Sequence, residues 1–189
     1  MGKRLFIAAD IDQETRSQIA SLASVLRSRV EARTRASWVR PERMHLTLLF
    51  FGNADAALEG RIRTALAEPI PEPRFDISFQ GLGFFPERGS PRVLWLGIHE
   101  GVIALRRVHA ALDTRVAARD REREDTRSFA PHLTLARFRD RTSRARLAEI
   151  AQIPAHAGPS RIDRVTLYES RLSSAGPAYL PLAEAPLRP

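Results

Sequence analysis

The 189-residue chain has no cysteine. That excludes disulfides, a cysteine nucleophile and cysteine-ligated zinc, and it fits a reducing cytoplasm. Lysine is nearly absent as well. Lys3 is the only one, so arginine supplies 29 of the 30 basic residues. The formal net charge of +8 favours a polyanion partner such as nucleic acid. Beside the many alanines and prolines, however, the arginine excess reads equally well as compositional bias. Long apolar runs are missing: the run Leu5–Ala9 meets Asp10 after five residues. That is too short for a signal-peptide core, and no stretch approaches the ~20 residues of a membrane span. A cytoplasmic protein without membrane association is expected. Hydrophobic content of 43% is enough for a buried core. The length suits one compact unit or two small lobes sharing a core.

What the chain does contain is one tetrapeptide used twice. His-Leu-Thr-Leu occupies His45–Leu48 and again His132–Leu135, 87 residues later (132 − 45). In a β-strand, residues i and i+2 share a face. His45 and Thr47 therefore point one way, and Leu46, Leu48 and Phe50 point the other. His132 and Thr134 likewise oppose Leu133 and Leu135. The leucines read as core. The other face offers an imidazole that titrates near neutrality beside a hydroxyl. Two such faces across a groove suit an oxyanion such as a phosphate. Neither motif carries a carboxylate or a third histidine, so no metal and no cofactor is expected.

The surrounding elements repeat with the motif. Arg4–Asp10 reads as a strand, and Asp12 as the N-cap of a helix over Gln13–Arg29 with Ile19, Leu22, Ala23, Leu26 and Val30 at helical spacing. Arg33–Pro41 is a basic loop before the first histidine strand. Asp55–Glu68 is a second helix, ended by the prolines of Pro69–Pro73, and Phe75–Phe79 is a strand. The second half gives a strand at Arg92–Ile98, a helix at Val102–Arg119 and the second histidine strand within Phe129–Phe138. A helix at Thr142–Ile153 and a strand at Ile162–Tyr168 complete it. Each half is then β-α-β-α-β, with pseudo-repeats at about residues 4–80 and 91–168. Gly81–Pro91 is a turn-rich crossover, and Arg119–Arg127 a charged, solvated loop. On the first strand of each half, Phe6 and Trp95 fall on the groove face. There they can stack on nucleobases or simply pack. His109 belongs with the apolar stripe Val102, Leu105, Leu112, Val116. His99 and His156 have no evident partner, Arg40 is a surface arginine near the first motif, and Tyr168 reads as core or groove wall.

The paired motifs resemble the His-x-Thr-x signature of the 2H phosphoesterase superfamily. The chain more specifically resembles bacterial and archaeal RNA 2′,3′-cyclic phosphodiesterases of the 2′-5′ RNA ligase-like family. The likeness runs nearly end to end. It includes Arg4-Leu5-Phe6-Ile7-Ala8, Trp38-Val39-Arg40-Pro41, Phe51-Gly52, Gly81-Leu82-Gly83-Phe84-Phe85-Pro86 and Pro91–Gly97. Phe129–Arg137 and Leu167-Tyr168-Glu169-Ser170 extend it. The resemblance implies a single α+β domain over residues 1–189, bilobed, with two antiparallel sheets facing across a central groove and the lobes exchanging strands. It implies metal-independent hydrolysis of RNA 2′,3′-cyclic phosphate ends to 2′-phosphates, with tRNA fragments and reversible 2′-5′ ligation among the activities of relatives. It places His45 and His132 as catalytic, with His132 as base and His45 as acid, although the near-symmetry of the motifs leaves the roles open. Thr47, Thr134 and Arg137 would hold the phosphate, and Phe6 and Trp95 would line the substrate groove. Strand parity objects to Arg137: five residues after His132, it should point away unless a bulge re-aims it. A monomer is expected. Two other readings remain: a phosphodiesterase for small cyclic phosphates such as ADP-ribose cyclic phosphate, and a non-catalytic RNA-binding module. Intact histidines and threonines argue against the latter, since binding alone needs no acid–base pair.

Overall fold

In the computed structural model, which describes residues 2–117, 129–173 and 176–189, the alternation of apolar residues builds ten strands and four α-helices among the described residues. Their order is β1 (Lys3–Asp10), α1 (Gln13–Glu31), β2 (Ala36–Trp38), a single 3-10 turn (Pro41–Arg43), β3 (His45–Ala54), α2 (Ala56–Ala65), β4 (Ile70–Pro73) and β5 (Phe75–Phe85). The second half continues with β6 (Val93–Ile98), α3 (Val102–Ala117), β7 (His132–Phe138), α4 (Arg144–Ala151), β8 (His156–Ile162), β9 (Arg164–Ser173) and β10 (Gly176–Arg188). Three of the helices begin where a short polar side chain can satisfy their free N–H groups. Asp12 accepts from the Thr15 amide at 2.8 Å, Asp55 from the Leu58 amide at 2.8 Å, and Ser143 caps α4. The fourth, α3, follows Gly101, whose φ of +83° suits a residue without a side chain.

Two five-stranded sheets form, ordered β3-β1-β9-β10-β4 and β2-β7-β6-β5-β8. β9, from the second half, lies beside β1. β5, from the first, lies beside β6. The helices cross over too. α1 packs on β8 and α4, against the second sheet, whereas α3 packs on β3 and β4 of the first. The fixings are specific: Ser160 Oγ accepts from the Asp12 amide at 2.9 Å, and Arg115 donates to the carbonyls of Glu68 and Pro69. Ile19, Ala23, Leu26 and Val30 of α1 are buried, as their spacing predicts, together with Leu5, Ile7, Leu46, Leu94, Leu133 and Leu167 of the strands. Burying one such leucine or isoleucine contributes roughly 1.5–3 kcal/mol.

Several segments depart from the sequence-based expectation. β2 lies within the expected basic loop, and the 3-10 turn begins at its last residue, Pro41. The proline segment after α2 becomes β4 and pairs with β10 in parallel, the one parallel pairing among the described strands. β5 runs six residues beyond Phe79 into the expected crossover, turning through a bulge at Gly81, where φ is +78°. β8 and β10 have no counterpart in the sequence reading. The charged loop expected at Arg119–Arg127 lies outside the described residues. In α3 the buried stripe is Leu105, Val108, Leu112 and Val116; His109 flanks it and stacks on Phe129 at 4.3 Å.

Candidate active site

The two histidine motifs meet across a cleft of about 420 Å³ whose lining includes His45, Thr47, His132, Thr134 and Arg137. In each motif the imidazole is fixed the same way. His45 Nδ1 lies 2.8 Å from the Arg43 carbonyl, and His132 Nδ1 lies 2.7 Å from the Ala130 carbonyl. A carbonyl only accepts, so Nδ1 carries a hydrogen in both rings and Nε2 is left for the cleft. His45 Nε2 sits 3.0 Å from the Thr47 hydroxyl. The cradling carbonyls themselves stand 87 residues apart, like the histidines.

Arg137 reaches the cleft because β7 bulges. Thr134 pairs with Trp95 and Ala136 with Leu94, so two steps on β7 match one step on β6 and Leu135 is the extra residue. The bulge shifts parity: Leu135 and Ala136 are both buried, and Arg137 turns to the face of His132. β3 bulges at the equivalent place, where Thr47 pairs with Ala8 and Leu49 with Ile7, leaving Leu48 over. This overturns the core placement of Phe50. Its side chain is 46% exposed and lines the cleft, with the Arg4 guanidinium 4.8 Å above its ring. Phe50 and Arg137 are therefore equivalent positions, 87 residues apart, filled by an aromatic in one lobe and a cation in the other.

Of the two other aromatics expected in the groove, Phe6 belongs to the cleft lining and Trp95 does not. Phe6 is only 4% exposed. Its ring stacks on His45 at 4.9 Å and on Tyr168 at 5.4 Å, and meets the edge of Tyr179. It is a wall behind the imidazole, with almost no surface for a base. Trp95 stands 5.3 Å from Phe85 and 6.3 Å from His132, and its indole lies across Gly83, where a Cβ would come within 2.1 Å of the ring. It backs His132 and is not among the described residues that line the cleft. The sequence reading missed Phe50, Arg4, Arg43 and Tyr179 of that lining. Arg40 is exposed beside a neighbouring pocket with Trp38 and Arg139, joined to the cleft at Val39. His99 and His156 are outside the cleft lining, and His156 is exposed.

Electrostatics couple the groups. Burial pushes His45 below the usual imidazole value; the Arg43 carbonyl and the Asp10 carboxylate pull it back, and the charges of Arg137 and His132 oppose them. His132 is also lowered, chiefly by burial and further by Arg137, with the Ala130 carbonyl acting the other way. Burial raises the Tyr179 hydroxyl, against the pull of Arg137, Arg43 and Arg4. Burial and Asp10 raise Tyr168, whose hydroxyl donates to Asp10 at 2.7 Å. The arrangement gathers excess positive charge, two exchangeable protons and two threonine hydroxyls round one cleft. Among the described residues, no group of three or more His, Cys, Asp or Glu side chains gathers to hold a metal.

The sequence profile of the 2′-5′ RNA ligase superfamily matches residues 12–173. The chain belongs to that superfamily. It is 33% identical over 183 residues to a protein of Methanothermobacter thermautotrophicus named RNA 2′,3′-cyclic phosphodiesterase, covering 95% of this chain and 96% of that one. A Thermotoga maritima protein of the same name is 31% identical over 183 residues, covering 96% of this chain and 94% of its own. Among solved structures, TT0787 of Thermus thermophilus aligns with a TM-score of 0.78 at 26% identity, covering 98% of each chain. The apo form of E. coli LigT aligns at 0.77 with 27% identity, covering 100% of this chain and 99% of that one. The bilobed α+β architecture implied by the family resemblance is that of these two structures, in sheets that are mostly antiparallel. No described helix is long and apolar enough to cross a membrane.

Proposed function

We propose that the chain hydrolyses RNA 2′,3′-cyclic phosphate ends to 2′-phosphomonoesters, using its two histidines as base and acid. The observation that carries this is the pair of equivalent imidazoles, each anchored through Nδ1 and each presenting Nε2 to the same cleft as Arg137. Water attacks phosphorus as His132 takes its proton. The P–O3′ bond breaks on the opposite side, and O3′ leaves with the proton of His45. In-line displacement requires base and acid on opposite sides of phosphorus, which two facing motifs provide. Thr47, Thr134 and Arg137 hold the charge-bearing oxygens, where preorganised donors act most strongly. The names of the relatives support this substrate class. E. coli LigT, which shares the fold, has been solved with 3′-AMP and with phosphate. The reverse reaction, joining a 2′-phosphate end through a 2′-5′ linkage, would use the same groups with roles exchanged. Monomeric action in the cytoplasm on RNA fragments, tRNA halves among them, fits this reading.

The test is turnover of an oligonucleotide ending in a 2′,3′-cyclic phosphate, with the product identified. A 2′-phosphate is expected; a 3′-phosphate, or no turnover, sinks the reading. The rate should survive chelation and follow a bell-shaped pH profile, rising as His132 loses its proton and falling as His45 does. Burial lowers both imidazoles, so both flanks should lie on the acid side of those for two unperturbed histidines. A profile displaced to the alkaline side would contradict the site's electrostatics.

Of the aromatics in the cleft lining, Phe50 offers the terminal base more surface than Phe6 does. It is exposed in the cleft and carries Arg4 above its ring, and both aromatics and guanidinium planes stack on bases. Phe50→Ala should raise KM for the oligonucleotide about 5- to 150-fold, the range that stacking of roughly 1–3 kcal/mol per base gives. Phe6→Ala should instead disturb His45 and lower kcat. The opposite pattern in steady-state kinetics would return the base to Phe6.

A further inference from the structure

The two lobes repeat the catalytic face with one difference that the proposed chemistry does not use. Asp10 stands directly opposite His45 in the β1–β3 ladder, and Gly97 stands directly opposite His132 in the β6–β7 ladder. Residues 10 and 97 are separated by the same 87 positions as the histidines. One imidazole therefore has a carboxylate across the ladder and the other has no side chain at all. The extra residues lie on β3 and not on β1, so Asp10 shares the cleft face with Phe6 and Ala8. Directly opposed residues hold their Cβ atoms about 4.5–5.5 Å apart.

The carboxylate is held in place. Tyr168 donates its hydroxyl hydrogen to Asp10 Oδ2 at 2.7 Å, and the buried Thr166 hydroxyl lies 3.4 Å from the same oxygen. Among the described residues no arginine or lysine forms an ion pair with Asp10, despite the basic surroundings. Its negative charge is left to act on the imidazole opposite.

We propose that Asp10, fixed by Tyr168, is a positioning residue that favours the protonated form of His45, a support that His132 lacks. The inference rests on the phosphodiesterase reading above for its consequence in turnover. The groups facing His45 define the sign. Asp10 of β1 favours the imidazolium. Arg137 and His132 of β7 disfavour it, and Arg4 and Arg43 line the same cleft with positive charge. Tyr168 of β9 and Tyr179 of β10 contribute neutral hydroxyls. A proton donor must still hold its proton at the working pH, and a proton acceptor must not. In a cleft that burial and arginines make hostile to imidazolium, a carboxylate on one side only makes the two histidines unequal. Asp10 itself exchanges no proton and touches no reacting atom.

Asp10→Asn removes the charge, keeps the shape and can still accept from Tyr168. Two measurements decide. The first is kcat/KM against pH on a cyclic-phosphate-ended oligonucleotide. The alkaline limb should move to lower pH while the acid limb stays, so that turnover above neutrality falls several-fold, since one neighbouring charge acts by about 1 kcal/mol or more even at high dielectric. Asp10→Glu, which restores the charge, should return the limb toward its wild-type position. The second is titration of the ring protons of both histidines by NMR in the ligand-free protein. His45 should move to lower pH in Asp10→Asn, and His132 should hold. Movement of the acid limb instead, a uniform loss of rate with an unchanged profile, or an unmoved His45 titration would each overturn the proposal. If the wild-type chain turns over no cyclic phosphate, the phosphodiesterase reading fails, and the ring titrations alone then uphold or overturn the role of Asp10.

Discussion

Replacing either histidine by alanine should lower turnover at least about 100-fold, because each removes one of two proton transfers and general acid–base assistance is worth roughly 10²–10⁴. The two losses should not multiply. An acid and a base that act in one displacement are a unit, so once either is gone the other contributes little. His45→Ala combined with His132→Ala should therefore fall far short of the product of the single effects. Thr47→Ala and Thr134→Ala should cost less than either histidine, since each removes one hydrogen-bonding group and leaves both proton transfers in place. The check is single-turnover kinetics at saturating substrate, with circular dichroism to establish folding. Two folded single mutants with near-normal turnover would end the two-histidine mechanism.

Arg137 carries the second large expectation. It is exposed in the cleft, and its charge acts on both imidazoles. Among the described residues no carboxylate pairs with it, so its guanidinium is free for the substrate phosphate. A hydrogen bond to a charged group is worth about 1.5–3 kcal/mol. Arg137→Ala should therefore weaken binding of inorganic phosphate, and lower kcat/KM, by roughly 10- to 100-fold. Arg137→Lys should recover only part, because an ammonium cannot offer the planar two-pronged donor of a guanidinium. Removing the cation should also let His45 and His132 titrate at higher pH, since Arg137 lowers both. Phosphate affinity unchanged in Arg137→Ala, measured by calorimetry, would place the anion elsewhere.

The pair of histidines that meet in the cleft was legible because repetition is a signal that survives without any structure. His45 and His132 stand out through shared flanks and constant spacing, and strand alternation correctly put each threonine beside its histidine. Alternation then failed at the equivalent residue in each lobe, Leu48 and Leu135, and β3 slips once more at Phe51. Nothing in Leu48-Leu49 or Leu135-Ala136 announces an extra residue, since a bulge formed by two apolar side chains looks like uninterrupted strand. Uninterrupted alternation put Phe50 in the core and raised the objection to Arg137, so one physical cause accounts for both, and the bulge named as the way to re-aim Arg137 is present. β10 was hidden for another reason. Pro177, Pro181 and Pro186 argue against a central strand, yet β4 pairs with β10 only at Leu187 and Arg188. Most of its outer edge has no described strand beside it, and there a missing N–H costs no ladder hydrogen bond. Tyr179, which meets both Phe6 and His45, was lost with it. Asp10 went unnoticed because its meaning lies in its contrast with Gly97, visible only once both ladders are in register.

The exchange of β5 and β9 between the sheets has a consequence for origins. A chain half this length, carrying one His-Leu-Thr-Leu strand and one β-α-β-α-β unit, would have its last strand in the sheet of a second copy. Two such copies would form a swapped dimer, with the two-fold axis passing through the cleft and a single phosphate shared between identical histidines. Such a dimer could not distinguish donor from acceptor, because symmetry would make them the same residue. Fusion into one polypeptide is what allows position 10 to differ from position 97 and position 50 from position 137. The asymmetry of the present cleft is closed to a pair of identical chains.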